Sequence, residues 1–189
     1  MIKEVAQTLL LTLVIFFGIQ TFIAQPYRVE QQSMQRTLEQ DQYVLVDKLT
    51  PRFDTYKRGD IVVFKPPPDW AGPDGTPFIK RVIGVEGDQV EIQDGEVIVN
   101  GVTLDEPYVF AVDGEPQETT TTTEPPRWVV AENELFVMGD HRSSSSDSRT
   151  FGPIGVDDVV GRAWLRYWPA DTIGILPTPV HPELQTSSP

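Results

Sequence analysis

The chain has no cysteine, only two histidines, and no charged residue between Ala6 and Ala24. Without cysteine there is no disulfide, no thiolate nucleophile and no thiolate metal site, so any catalysis must run on oxygen and nitrogen groups. His181 sits in a proline-rich tail, and His141 has no H-E-x-x-H or comparable spacing around it, so neither a metal nor a cofactor is expected. A Ser/His/Asp triad through His141 stays open as the sharper rival, because histidine usually performs that task in serine hydrolases. Basic residues are also scarce. Fifteen against 28 acidic ones give a formal charge of −13, which opposes attraction to phosphate backbones and excludes nucleic acid as a partner. With 189 residues there is room for an anchor and one packed domain, and none for a separate cofactor domain.

The uncharged stretch is the first feature that is present rather than missing. As a helix, Ala6–Ala24 would rise about 28 Å, close to the thickness of a bilayer core. Gln7, Thr8, Thr12, Gln20 and Thr21 weaken it, and a removable secretion signal or a soluble core helix has a similar look. No good small-x-small cleavage site follows, so residues 1–25 are read as a retained anchor. Lys3 before the span and the acidic body after it favour a cytoplasmic amino terminus and an exported domain.

Residues 26–177 carry short strand signals. Tyr43–Val46, Ile61–Phe64, Arg81–Val85, Gln89–Ile92, Val97–Val99, Trp128–Val130, Leu135–Met138 and Val159–Arg166 are separated by Gly, Pro and Asp turns. Asp94-Gly95 predicts a tight hairpin, because both positions readily take positive φ. The expected class is mainly β, antiparallel, behind one transmembrane helix. Segments 67–77 and 113–126 read as flexible surface excursions, the second a threonine-rich run with too little apolar surface to order itself. The tail 178–189 reads as disordered and too polar for a second span.

Three clusters carry chemistry: Glu30–Leu38, Phe78–Asp88, and Met138–Pro153. Strand alternation puts Lys80, Val82 and Gly84 on one side and Ile79, Arg81 and Ile83 on the other. A lysine aimed into an apolar layer loses its proton more easily and can then deprotonate a serine. These features alone favour a salt-bridged or snorkelling lysine over a base. In the third cluster, Asp147 with Arg149, and Asp140 with Arg142, are candidate pairs bracing a turn.

Together the clusters resemble the boxes of bacterial type I signal peptidases, the membrane-bound S26 peptidases, in their short single-anchor form. SMQRTL looks like the box written SMxPTL, RGDIVVFK and FIKRVIGVEGDQV match the strand and base boxes, and GDHRSSSSDSRTFGPI matches GDNRxNSxDSRxFG. The resemblance implies a mostly antiparallel β fold in a coiled, barrel-like form. It implies Ser33 as nucleophile, Lys80 as general base, Ser145 as the residue that orients the lysine, and Asp147 and Arg149 as a supporting pair. It also implies signal-peptide-bearing precursors with small residues at −1 and −3 as substrates, with membrane lipid and the export machinery nearby. The plasma membrane is the implied location, or a thylakoid membrane in a cyanobacterium. Arg36 stands where proline is customary, and Gln31 where some relatives supply a serine to the oxyanion hole. His141 and Ser144 replace asparagines. A self-cleaving repressor-type Ser/Lys peptidase and an inactive anchored β-rich binding protein are the alternatives. Met34, Phe64 and Trp168 are candidates for an apolar lip that touches lipid.

Overall fold

Of the 189 residues, the computed structural model describes 1–49, 51, 53–68, 70 and 75–184. Helix α1 (Ile2–Phe22) contains all but the last two residues of the uncharged stretch, and its 21 residues rise about 31 Å. Its apolar side chains from Leu9 to Phe17 are exposed, so it is not a core helix of the domain that follows. Thr8 and Thr12 donate their hydroxyls to the carbonyls of Glu4 and Thr8 at 2.9 Å, which leaves no unmet hydroxyl donor on that face. The helix is long and apolar enough to cross a membrane.

The chain passes almost directly into a sheet. Strand β1 (Ala24–Arg28) pairs antiparallel with β2 (Tyr43–Asp47), and Lys48 N donates to Ile23 O at 2.8 Å. The sequence does not announce β1 because it contains Pro26. An edge strand tolerates proline, since the missing N–H can face away from the ladder. The remaining strands are β3 (Ile61–Phe64), β4 (Phe78–Gly84), β5 (Gln89–Gln93), β6 (Glu96–Val99) and β7 (Val102–Thr103). They continue with β8 (Ala111–Val112), β9 (Glu115–Pro116), β10 (Arg127–Val129), β11 (Glu134–Met138), β12 (Ile154–Gly155), β13 (Val159–Trp168) and β14 (Gly174–Ile175). A one-turn helix, α2 (Ser148–Phe151), lies between β11 and β12.

Among the described residues the large sheet runs β1-β2-β13-β3-β4-β11-β12, with β14 on β13, and a smaller sheet runs β10-β5-β6-β7. Every pairing is antiparallel, as the sequence predicts. The ten-residue β13 bonds to β2 and β3 with register shifts on both sides. Such bulges bend a strand and add twist, and so let the sheet coil. Gly161 allows the close approach of β2, because a Cβ there would overlap the Asp47 carbonyl. The predicted hairpin joins β5 to β6, with Asp94 at φ 52° and Gly95 at φ 84°.

Strand β3 (IVVF) is buried on both faces, so it divides the core. Ile61 and Val63 pack with Met34, Leu38 and Val44, whereas Val62 and Phe64 pack with Val82, Val137 and Ile154. A third cluster, around Val90, Val99 and Phe136, joins the small sheet to the large one. Burying Met34 and Leu38 contributes about 2 kcal/mol each, and this fixes the turn between β1 and β2 on the sheet.

Several expectations need correction. Met34 and Phe64 are fully buried core residues and form no lip, whereas Trp168 is half exposed. The excursion 67–77 is not purely a surface feature, because Trp70 is buried and stacks on Phe151 at 5.2 Å; positions 69 and 71–74 lie outside the described residues. The run 113–126 supplies the turn and second strand of the β8–β9 hairpin and then lies against the 142–149 turn, with Thr119 only 2% exposed. Hydroxyl and backbone hydrogen bonds order it where apolar burial does not. The tail is packed as far as Leu184: Pro179 covers Gly59, and His181 is buried edge-on to Tyr108. Positions 185–189 lie outside the described residues.

Candidate active site

Ser33 lies in the turn after β1, where Gln35 N bonds to Gln32 O and Leu38 N bonds to Met34 O. The turn is held from below by the buried Met34 and Leu38 and from the side by His141 N, which donates to Ser33 O at 3.0 Å. Ser33 is therefore 2% exposed although it belongs to a loop. Its own N–H donates to no acceptor among the described residues, which leaves it for an incoming oxygen.

Lys80 projects from β4 toward that turn and is 1% exposed. Its Nζ lies 2.7 Å from Ser33 Oγ and 3.1 Å from Ile79 O. Burial penalises the ammonium and brings the pKa down from 10.5 to about 8, against the pull of Asp147 and Asp140 and with help from Arg149. Near neutrality a usable fraction of this amine is unprotonated. A neutral amine within hydrogen-bond reach of a hydroxyl can take its proton.

Beside this pair lies the turn after β11. Asp147 caps α2 by accepting from Arg149 N at 3.2 Å, and its other oxygen accepts from Gly139 N at 3.0 Å. Burial would raise its carboxyl, but the Arg149 guanidinium at 2.8 Å and the Gly139 N–H outweigh that, so its pKa is lowered. Arg149 also donates to Arg142 O at 2.7 Å, tying the turn to its own start. The Ser145 hydroxyl is buried near Asp147, close enough to favour the carboxylate, yet it makes no hydrogen bond of good geometry among the described residues. It is not bonded to Lys80 here. A Cβ on Gly139 would overlap both Ser145 Oγ and Ser33 O, so this glycine is where the two turns touch. Gly139→Ala should therefore leave the β fold intact by circular dichroism and lower the initial rate at least about 100-fold, because a shift of about 1 Å at the reacting atoms is that costly.

The pairing of Asp140 with Arg142 expected from the sequence is not formed. Asp140 instead takes a bidentate grip from the fully buried Arg81, at 2.8 and 2.7 Å, while Arg142 pairs with Glu106 at 2.7 Å. Asp140 also accepts from Thr37 Oγ1 at 2.6 Å, and Arg81 covers the Tyr108 ring at 4.1 Å. Arg81, Thr37 and Asp140 thus lock the far end of the Ser33 turn, a role the sequence reading did not assign. The available signal was that a buried arginine on the strand face opposite Lys80 requires a carboxylate. His141 stacks on Phe110 at 4.3 Å and bonds through neither ring nitrogen to Ser33 or Asp147, so no triad through it is formed. Arg36 holds φ at 86°, a value closed to proline, and donates to Val109 O at 2.6 Å. Gln31 is exposed at the rim.

A cleft of about 180 Å³ lies between Tyr27–Gln31 and Thr76–Ile79, the segments that lead into Ser33 and Lys80. β11 pairs with β4 only from Arg81 onward, so on that side Phe78 to Lys80 have no strand partner among the described residues. An extended peptide can add there by main-chain hydrogen bonds.

The family described as signal peptidase, peptidase S26, matches residues 2–168. A probable signal peptidase I-2 from Synechocystis is 32% identical over 179 residues, 92% of this chain and 76% of that protein. Signal peptidase I of Leptolyngbya laminosa is 34% identical over 181 residues, 94% of this chain and 85% of its own length. A probable signal peptidase I-1 from Synechocystis is 36% identical over 178 residues, 93% and 87%. The chain belongs to the signal peptidase family of serine peptidases, peptidase S26. These three relatives are named signal peptidase I, and the repressor-type alternative falls away.

Proposed function

We propose that this enzyme removes signal peptides from exported precursors at a membrane surface, with Ser33 as nucleophile and Lys80 as its general base. The observation that carries this reading is the 2.7 Å approach of a buried lysine amine to a buried serine hydroxyl. Neutral Lys80 takes the Ser33 proton as Oγ attacks the scissile carbonyl carbon, and the Ser33 N–H receives the oxyanion. The lysine then gives that proton to the leaving amine. A water deprotonated by Lys80 attacks the acyl carbon and frees Ser33. Ser145, whose hydroxyl is bonded to neither Lys80 nor Ser33 in the resting site, takes hold of the lysine once Ser33 Oγ is acylated, with Asp147 and Arg149 fixing its turn. Gln31 at the rim is a further oxyanion donor if its amide turns inward.

The precursor lies extended along Phe78–Ile79 and sends alternate side chains, at −1 and −3, into the cleft. The small volume there favours alanine-sized residues. α1 anchors the chain with its amino terminus in the cytoplasm and the β domain outside, in the plasma membrane or a thylakoid membrane. Ser33 then lies nine residues from Ala24, within roughly 30 Å of the membrane exit even with that linker extended. The full chain in detergent should cleave a precursor-derived fluorogenic peptide with Ala at −1 and −3, and Ser33→Ala should not. Leu at −1 should lower kcat/KM at least about 100-fold, a steric loss of about 3 kcal/mol. Equal cleavage of the Leu peptide would refute the pocket, and cleavage by Ser33→Ala would refute the nucleophile.

A further inference from the structure

The segment that the sequence marks as dispensable lies across the back of the active-site turn. Thr121 Oγ1 and Thr123 Oγ1 both donate to Arg149 O, at 3.0 and 2.7 Å. Arg149 answers by donating from Nη1 to Thr120 O at 3.1 Å. Thr119, buried, accepts from Arg142, whose carbonyl in turn takes Arg149 Nη2. The strap is itself fastened to the β5–β6 hairpin by Thr119 N, which donates to Gly95 O at 2.7 Å.

Helix α2 is four residues long, too short to hold its own shape. Its first turn is capped by Asp147, but the Arg149 carbonyl has no backbone partner among the described residues. Two threonine hydroxyls supply what a longer helix would. The residue so fixed is the one whose guanidinium holds Asp147, and Asp147 holds Gly139 against Ser33 and Ser145.

We propose that Thr119, Thr121 and Thr123 form a positioning strap that fixes Arg149 and Asp147 against the catalytic pair. The proposal rests on Lys80 being the base. The charged groups acting on Lys80 are Asp147, Asp140 and Arg149, and of these only Arg149 favours the neutral amine. Releasing Arg149 therefore shifts the acid limb of the pH–rate profile to higher pH. A strap that served stability alone would not move that limb.

The test compares full-length Thr121→Val/Thr123→Val with Thr121→Ser/Thr123→Ser, measuring kcat, KM, the pH profile of kcat/KM and thermal unfolding. Losing two hydrogen bonds of ordinary strength should lower kcat about tenfold, with KM within about twofold and the acid limb displaced upward. The serine pair should restore both rate and limb. If the valine pair does not fold, the single Thr121→Val, which keeps one donor on Arg149 O, should give a smaller shift of the same sign. A valine variant with the wild-type rate and limb, or a loss that serine does not rescue, overturns the strap. Lys80→Met in the same assay separates the two readings: turnover by that variant removes the base assignment, whereas an inactive Lys80→Met beside an unaffected valine pair removes only the strap.

Discussion

Lys80→Met should be nearly inert, at least about 10³-fold down in kcat/KM, and more stable than the wild type at pH 7. The two effects share one cause. The folded-state pKa of Lys80, about 8, lies below its ordinary 10.5, so between those values the unfolded chain binds more protons than the folded one. Stability therefore rises with pH from about 8 to 10.5, and below pH 8 the full cost of burying the ammonium is present. A shift of that size corresponds to about 3 kcal/mol. Methionine removes the cost but also the bond to Ser33, worth about 1 kcal/mol, leaving a net gain of about 2 kcal/mol. Denaturant unfolding at pH 7 and pH 11 should show that gain at the first and lose most of it at the second. A wild type as stable as the variant at pH 7 would contradict the buried, strained amine. In the wild type, kcat/KM should fall about tenfold per unit as pH drops below 8.

Arg81→Ala should be the most damaging single change outside the proposed Ser33–Lys80 pair. It strands Asp140, itself fully buried, and removes bonds to Gly59 O and to Thr37. Breaking one side of a buried pair costs about 3–5 kcal/mol, comparable to the whole stability margin of many domains. Replacing both partners, as Arg81→Met/Asp140→Leu, should recover much of that stability because no charge is left unpaired. It should not recover the rate. Thr37 would have lost the carboxylate that fixes the end of the Ser33 turn, so kcat should remain at least about tenfold low. Thermal unfolding and single-turnover kinetics on the two variants separate these effects. A double variant with full activity would show that the Arg81 network serves stability only.

Much of the sheet was legible because its signals are local. Strand β3 reads as a continuous apolar run, and Asp94-Gly95 supplies the φ values a tight turn requires, so neither depends on distant contacts. β1 and β12 were not legible, since both form only because a partner strand passes beside them. The burial of Met34 is hidden from the sequence for a related reason. Its place in the chain beside Ser33 suggests a surface lip, but the turn rolls it into the core. Composition misjudges the threonine run because it counts apolar area and takes no account of a neighbouring turn short of hydrogen-bond donors.

The sequence by itself determined the candidate reacting groups and their surroundings in outline. An uncharged span, an antiparallel β domain, and four short boxes in order place Ser33, Lys80 and the 145–149 turn on one chain with no cysteine and almost no histidine. Tertiary structure decided which charged and polar groups pair. Arg81 with Asp140, Arg142 with Glu106, and Thr37 with Asp140 join residues 59, 36 and 103 positions apart. At such separations adjacency in the chain carries no information. A buried charge goes to whichever opposite charge the fold brings within reach, because burying it alone would cost several kcal/mol.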